Sequence, residues 1–395
     1  MTVRFGVDRV VADIALLGGA RAVGLVTNDA ARLASDDAVH ARVALQRAGV
    51  PLVRLFGPEH GLDAAAADGA AVFDGTDART GLHVVSLYGE RMRPTPDQLA
   101  GLDLVLFDIP DVGARFYTYA GTLFHLLAAC AESRIPLSVL DRPNPLGGTL
   151  ASAEGPMLDL ALASFVGADA IPVRHALTLG ELARLWQRER WPHADLRVIT
   201  CEGWTRDMRW SDTALPWVST SPAMPSIASV LTYPGLCPFE GTNLSVGRGT
   251  DTPFQHVGAP WLDGDAVLTW LARASLTGAT LEHDAFVPEL APHAGERCQG
   301  IRVIVTDASA FRPVAIGLWL LAAVAATHRS AFAWVRYPTA ANPTGEGHVD
   351  RLTGQGAVRA QLDRDPGAVT AEQVAAWTAV PDWEARVRPI LLYNP

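Results

Sequence analysis

Five short, largely apolar runs recur through the first 145 residues: Ala22–Thr27, Leu52–Phe56, Val84–Tyr88, Leu104–Phe107 and Leu137–Leu140. Helical stretches stand between some of them, near Asp37–Ala48 and over Tyr119–Arg134. A run that is apolar along its length, rather than at alternate positions, belongs to a strand covered on both faces. Strands of this kind separated by helices specify a parallel sheet inside an α/β layer. The first half of the chain is therefore expected to be a Rossmann-like, doubly wound sheet.

Each run hands over to polar residues at its carboxyl end. Asn28 follows the first and Glu59-His60 the second. Asp108 and Asp111 follow the fourth, and Asp141-Arg142 the fifth. A single Asp at such a tip commonly caps the next helix or loop. Open α/β sheets, however, bind ligands outside the carboxyl ends of their strands, and four polar tips on one edge point to a site there.

Composition narrows the function. The 395 residues are 49% hydrophobic and 19% charged, which suits a large buried core. A net charge of -10 argues against a nucleic-acid partner. Lysine is absent, so Schiff-base and P-loop lysine chemistry is excluded. The segment after the first strand, Thr27–Arg32, has no GxGxxG, and GxxxxGK[ST], GxSxG and HExxH occur nowhere. No nucleotide cofactor is expected, and no His/Asp/Glu spacing calls for a metal. Cys130, Cys201, Cys237 and Cys298 are widely spaced and read as buried thiols. The longest apolar segment, Val314–Ala326, is too short to span a bilayer, and the amino terminus lacks a secretory pattern. The chain as given reads as cytoplasmic, or as exported if a leader has been trimmed from it. Nothing in the sequence fixes an oligomeric state.

The rhythm changes after residue 150. "LTLGELARLWQR" (177–188) reads as a helix capped by Thr178 and Glu181, and Leu196–Thr200 as a strand. Trp204–Thr252 is a long irregular tract rich in Pro, Gly, Ser and Trp, the kind of loop that usually binds something. A helix near 265–275, a strand 300–306, a helix 313–327 and a terminal helix near 371–387 follow. We place an amino-terminal domain at 1–250 and a smaller α/β domain at 251–395, with a cleft between them.

Six motifs appear in order: "LFGPEHG" (55–61), "FDIPDVGARFYTY" (107–119), "LDRPNPLGG" (140–148), "EGTNLSVGRGT" (240–250), "GAPW" (258–261) and "HVDRLTG" (348–354). Together they resemble the NamZ family of exo-β-N-acetylmuramidases, formerly domain of unknown function 1343. The resemblance implies a Rossmann-like domain, a smaller α/β domain and an active site between them. It also implies release of N-acetylmuramic acid (MurNAc) from the non-reducing end of peptidoglycan fragments. The glutamate of its GPEHG motif corresponds here to Glu59.

Glycoside hydrolysis commonly uses one carboxylic acid to protonate the leaving oxygen and a second group at the anomeric carbon. Glu59 is the expected acid, with His60 orienting it or the sugar. Asp111, Asp108 and Glu240 are candidates for the second carboxylate, and attack by the substrate's own acetamido group stays open. Arg115, Arg142 and Arg248 could bind the lactyl carboxylate of MurNAc, with Arg248 foremost because of its glycine neighbours. Tyr117, Tyr119 and Asn243 are placed at hydroxyls or the acetamido group. His348-Val-Asp350-Arg351 reads as structural, with an Asp-Arg pair fixing the second domain against the first. Three positions depart from the family pattern. Asp63 stands where the family has Arg and would set an anion beside Glu59, Pro110 replaces Gln, and Val246 replaces Glu. A non-catalytic muropeptide binder and a cell-wall amidase or esterase are the alternative readings.

Overall fold

A computed structural model of the chain describes residues 2–394. Its larger unit holds β1 (Val23–Thr27), β2 (Leu52–Gly57), β3 (Gly75–Thr76), β4 (His83–Ser86), β5 (Leu104–Asp108), β6 (Leu137–Leu140) and β7 (Leu196–Ile199). They form one seven-stranded sheet in the order β3-β4-β2-β1-β5-β6-β7. Every neighbouring pair is parallel except β3 with β4. The doubly wound expectation is met. β1 and β5 are buried at every position, as runs without alternation require.

From β1 the chain winds outward through β2 to β4, then returns to the far side of β1 for β5, β6 and β7. The winding direction reverses between β1 and β5. Their register sets Thr27 opposite Asp108, so adjacent strand tips deliver polar side chains to the same edge.

Helix Thr118–Ser133 crosses from β5 to β6, buried along most of its length. Helix Leu179–Glu189 starts where the sequence signals it. The Thr178 hydroxyl accepts from the Glu181 N–H at 3.2 Å, and Glu181 accepts from the Thr178 N–H at 3.1 Å. The helix expected near 37–48 is shorter, Ala41–Arg47.

A second, antiparallel sheet holds β8 (His256–Ala259), β9 (Ala279–Phe286) and β10 (Cys298–Val305), with β10 in the middle. Helix Pro313–Thr327 packs against helices Ile227–Leu236 and Gly264–Leu271, which lie on this sheet, and is apolar on all sides because it is buried on nearly all sides. β9 went unread because half of its residues are polar and most reach solvent. The tract 204–252 is not wholly irregular either. It contains helix Ile227–Leu236, which carries Pro234 in its last turn, where proline usually marks a break. That helix lies directly on Pro313–Thr327: a Cβ on Gly235 would sit 2.1 Å from the Pro313 carbonyl oxygen. The chain therefore enters the second unit ahead of residue 250. The terminal helix divides at Pro381 into Ala371–Thr378 and Trp383–Val387.

The carboxyl-terminal tail returns to the first unit. Tyr393 donates its hydroxyl proton to Asp141 at 2.6 Å and accepts from the Cys201 N–H at 3.0 Å. All four cysteines are free and buried. Among the described residues no helix is long and apolar enough to cross a membrane.

Candidate active site

The site grows from the end of β2. Beyond Gly57 the backbone turns through two left-handed residues, His60 (φ 65°) and Gly61 (φ 77°). His60 holds this turn by a 2.8 Å contact from Nδ1 to the Ala66 carbonyl oxygen. The loop then runs back over Glu59. Its Gly69 N–H donates to Glu59 Oε1 at 2.9 Å, and the Thr118 hydroxyl donates to Oε2 at 2.5 Å. Position 69 must be glycine for this approach. It has φ 67°, and a Cβ there would lie 2.7 Å from Thr339 Cγ2 on the second unit.

The same loop carries Asp68 to the seam between the units. The Arg248 guanidinium meets Asp68 Oδ1 at 3.1 Å, and the Tyr337 hydroxyl donates to Oδ2 at 2.7 Å. Arg248 also meets Glu240 Oε1 at 2.6 Å and lies over the Phe254 ring, 5.0 Å from its centroid. His348 stacks on Tyr337 with ring centroids 4.7 Å apart, and its Nε2 is buried with no hydrogen-bond partner among the described residues. Glu59, His60, Asp68, Glu240, Arg248 and His348 all line one cavity, walled by both units.

The charges are unequal. Burial pushes the Glu59 carboxyl above its ordinary range, and the Asp68 charge adds to the push. Burial alone would also raise Asp68. Arg248, then the Tyr337 hydroxyl, outweigh it and hold Asp68 below the ordinary carboxylate range. Glu240, buried but beside Arg248, is pushed up to about 7. Burial takes His348 down to about 4, so near neutrality it is an uncharged imidazole. The cavity thus presents a proton donor next to a fixed carboxylate.

Of the residues singled out in the sequence, Glu59, His60, Tyr117, Glu240 and Arg248 come together here. Others do not reach the cavity. Asp108 is fully buried in a two-pronged ion pair with Arg142, at 2.7 and 3.0 Å, so neither is free for substrate. Arg142 thus bridges Asp108 rather than its sequence neighbour Asp141. Asp111 is buried next to Gly113, whose N–H donates to it at 3.0 Å, and burial raises its carboxyl to about 7. Arg115 is buried and spends its guanidinium on the carbonyl oxygens of Pro156, Ile171 and Leu352, pinning the second unit to the first. Tyr119 donates to the Thr220 carbonyl oxygen at 2.7 Å and supports the Tyr117 ring edge-on. Asn243 clamps the backbone of Ala331 and Ala333.

Two corrections concern charge. Asp63 is exposed and faces a separate groove of about 830 Å³ beside Phe73 and Arg79. The anion beside Glu59 is Asp68. In the HVDRLTG motif, Asp350 pairs with Arg359 at 2.8 Å instead of Arg351, and His348 reaches the cavity. Asp68 and Tyr337 carried no motif signal of their own, and His348 stood in a motif read as structural. Only their convergence across 280 residues reveals them.

Sequence spacing also hid a grouping of metal-ligand type. Glu59, His60 and Asp68 offer ligand atoms within 4.8 Å of one another. Each already has protein partners, Gly69 and Thr118 for Glu59, Ala66 for His60, and Arg248 and Tyr337 for Asp68. Asp68 in particular faces a cation of the protein's own.

Comparison with known proteins gives the cavity its context. The amino-terminal model of exo-β-N-acetylmuramidase NamZ matches residues 23–228, and the carboxyl-terminal model matches 231–393. The chain belongs to the NamZ family. The peptidoglycan β-N-acetylmuramidase NamZ of Bacillus subtilis (strain 168) is 37% identical over 361 residues, covering 91% of this chain and 84% of that protein. Two crystal structures of DUF1343 family proteins from Bacteroides fragilis share the fold. One superposes with a TM-score of 0.87 at 29% identity, the other with 0.71 at 26%. Each alignment covers all of this chain and 99% of the other. The two NamZ models meet between residues 228 and 231, and the cavity draws residues from both sides of that division.

Proposed function

We propose that this protein is an exo-β-N-acetylmuramidase, a glycoside hydrolase that releases MurNAc from the non-reducing end of peptidoglycan fragments, with Glu59 as its general acid. The observation that carries the assignment of roles is the state of Glu59. It is a buried carboxyl with a raised pKa, oriented by two donated hydrogen bonds, beside a carboxylate of lowered pKa. An acid must hold its proton near neutrality to give it to a departing sugar oxygen. A cavity walled by both units suits a chain end better than the middle of a polymer. Arg248 engages its two carboxylates through Nε and Nη2, and we assign its Nη1 edge to the lactyl carboxylate that distinguishes MurNAc. His348 Nε2 and the Tyr117 hydroxyl are assigned to sugar hydroxyls or the acetamido group.

Three substrates test the reading: a MurNAc-N-acetylglucosamine disaccharide, a chromogenic β-MurNAc glycoside and a muramoyl-peptide. Release of MurNAc from the first two is the expected result. Cleavage confined to the amide would identify an amidase, and binding without turnover a non-catalytic muropeptide receptor.

The pH profile has a definite sign. The active form carries the proton on Glu59, so kcat/KM is expected to fall as pH rises through that raised pKa. The basic limb should disappear in a Glu59→Gln variant. A limb that persists unchanged in that variant would assign the titration to another group, with Glu240 the first suspect.

A further inference from the structure

We infer that Asp68 is the second catalytic carboxylate, the nucleophile that closes on the anomeric carbon while Glu59 protonates the leaving oxygen. The inference rests on the muramidase reading and specifies its chemistry.

Spacing is the first support. An oxygen of Glu59 and an oxygen of Asp68 lie within 4.8 Å of each other. Carboxyl pairs that act by double displacement stand roughly 5–5.5 Å apart, whereas those that activate an intervening water need about 6.5–9.5 Å. With their facing oxygens this close, the Glu59–Asp68 pair falls on the double-displacement side of that division. Of the expected alternatives, Asp108 is locked to Arg142, Asp111 lies outside the cavity, and Glu240, inside it, is bound to Arg248 with its carboxyl pushed up to about 7.

Ionisation is the second. The titratable groups lining the cavity with the pair are His60, Tyr88 and Tyr117 from the first unit, and Tyr233, Cys237, Glu240, Arg248, Tyr337 and His348 from the second. Arg248 is the only fixed cation among them. It is shared with Glu240, which burial raises to about 7, so below that pH most of its charge is left to Asp68. Asp68 is accordingly the anion and Glu59 the acid. A carboxylate has about four lone-pair positions. Arg248 and Tyr337 each take one from Asp68, fixing its plane and leaving others free to attack.

In the first step Asp68 forms a bond to C1 as the C1–O bond breaks, and the proton of Glu59 passes to the departing oxygen. In the second, Glu59, now a carboxylate, removes a proton from water. The water oxygen bonds to C1 and displaces Asp68. Each step inverts C1, so the β configuration is retained.

The wild-type enzyme provides a test that no variant's folding can disturb. Proton NMR during hydrolysis should show β-MurNAc appearing first and the α anomer growing only by mutarotation. Direct appearance of α-MurNAc would overturn the proposal while leaving the muramidase reading intact. Asp68→Gly is expected to lose at least about 10³-fold in kcat, as removal of a covalent nucleophile does. Azide should restore turnover by forming the α-glycosyl azide. Retention by wild type together with no azide product from Asp68→Gly, or an Asp68→Asn variant turning over at the wild-type rate, would also overturn it. The first of these results would assign the attack to the substrate's acetamido group. Failure of wild type to cleave any MurNAc glycoside would instead sink the reading on which the inference rests.

Discussion

Replacing Glu59 by Gln is expected to lower kcat on the MurNAc-N-acetylglucosamine disaccharide by roughly 10²–10⁴-fold, the usual contribution of a general acid. The substitution is close to isosteric. The Gln carbonyl can still accept from the Gly69 N–H, and its amide can donate to the Thr118 hydroxyl in place of the present bond. KM should therefore move little. The loss should shrink on a chromogenic glycoside with a good leaving group, because such a group departs without a proton. That difference between substrates separates a missing acid from a damaged cavity, which would slow both equally. Stability gives an independent reading. A carboxyl whose folded pKa is raised above its unfolded value contributes stability that is present at low pH and lost as pH rises through the raised value. The Gln variant cannot ionise, so on the alkaline side it should be at least as stable as wild type. Equal activity of variant and wild type on the disaccharide would remove Glu59 from the mechanism.

The sheet could be read from the chain because its signal is local. Fully buried parallel strands must be apolar throughout, and β1, β5 and β6 show this in consecutive residues. The Thr178–Glu181 box is equally local. β9 failed because a strand with a solvated face carries little apolar pattern, and helix Ile227–Leu236 failed because Pro234 outweighed its neighbours. The site divides along the same line. Glu59 follows a buried strand and sits in a glycine turn, so its position was legible. Asp68 is an ordinary Asp in an alanine-rich loop, and its meaning depends on Arg248 and Tyr337, which come from distant parts of the chain. Charge neighbours read along the sequence misled for the same reason. Asp63 lies four residues from Glu59 and points elsewhere, whereas Asp68 is nine residues away and beside it.

The other large effect concerns a pair that the sequence placed in the site and the fold uses for itself. Arg142→Met is expected to destabilise the protein by about 3–5 kcal/mol, the usual result of stranding one member of a buried ion pair. Asp108 has no exposed surface and takes both charge-assisted hydrogen bonds from Arg142, whose Nη2 also donates to the Arg32 carbonyl oxygen at 2.9 Å. Burial already raises the Asp108 carboxyl even with the arginine present. Without that cation, Asp108 must either ionise unpaired at the end of β5 or take up a proton. The pH dependence follows. With its folded pKa above the unfolded one, Asp108 favours the native state at low pH and loses that contribution as pH rises. The deficit of Arg142→Met relative to wild type should therefore be largest near neutrality and shrink toward pH 4 to 5. Urea unfolding of both proteins at the two pH values measures it. A double variant, Asp108→Leu with Arg142→Met, should recover much of the loss, since a well-packed apolar pair can replace a buried ion pair at little cost. If Arg142→Met unfolds like wild type but no longer turns over MurNAc substrates, the arginine belongs to the cavity after all, and the ion pair is a resting position from which it is recruited.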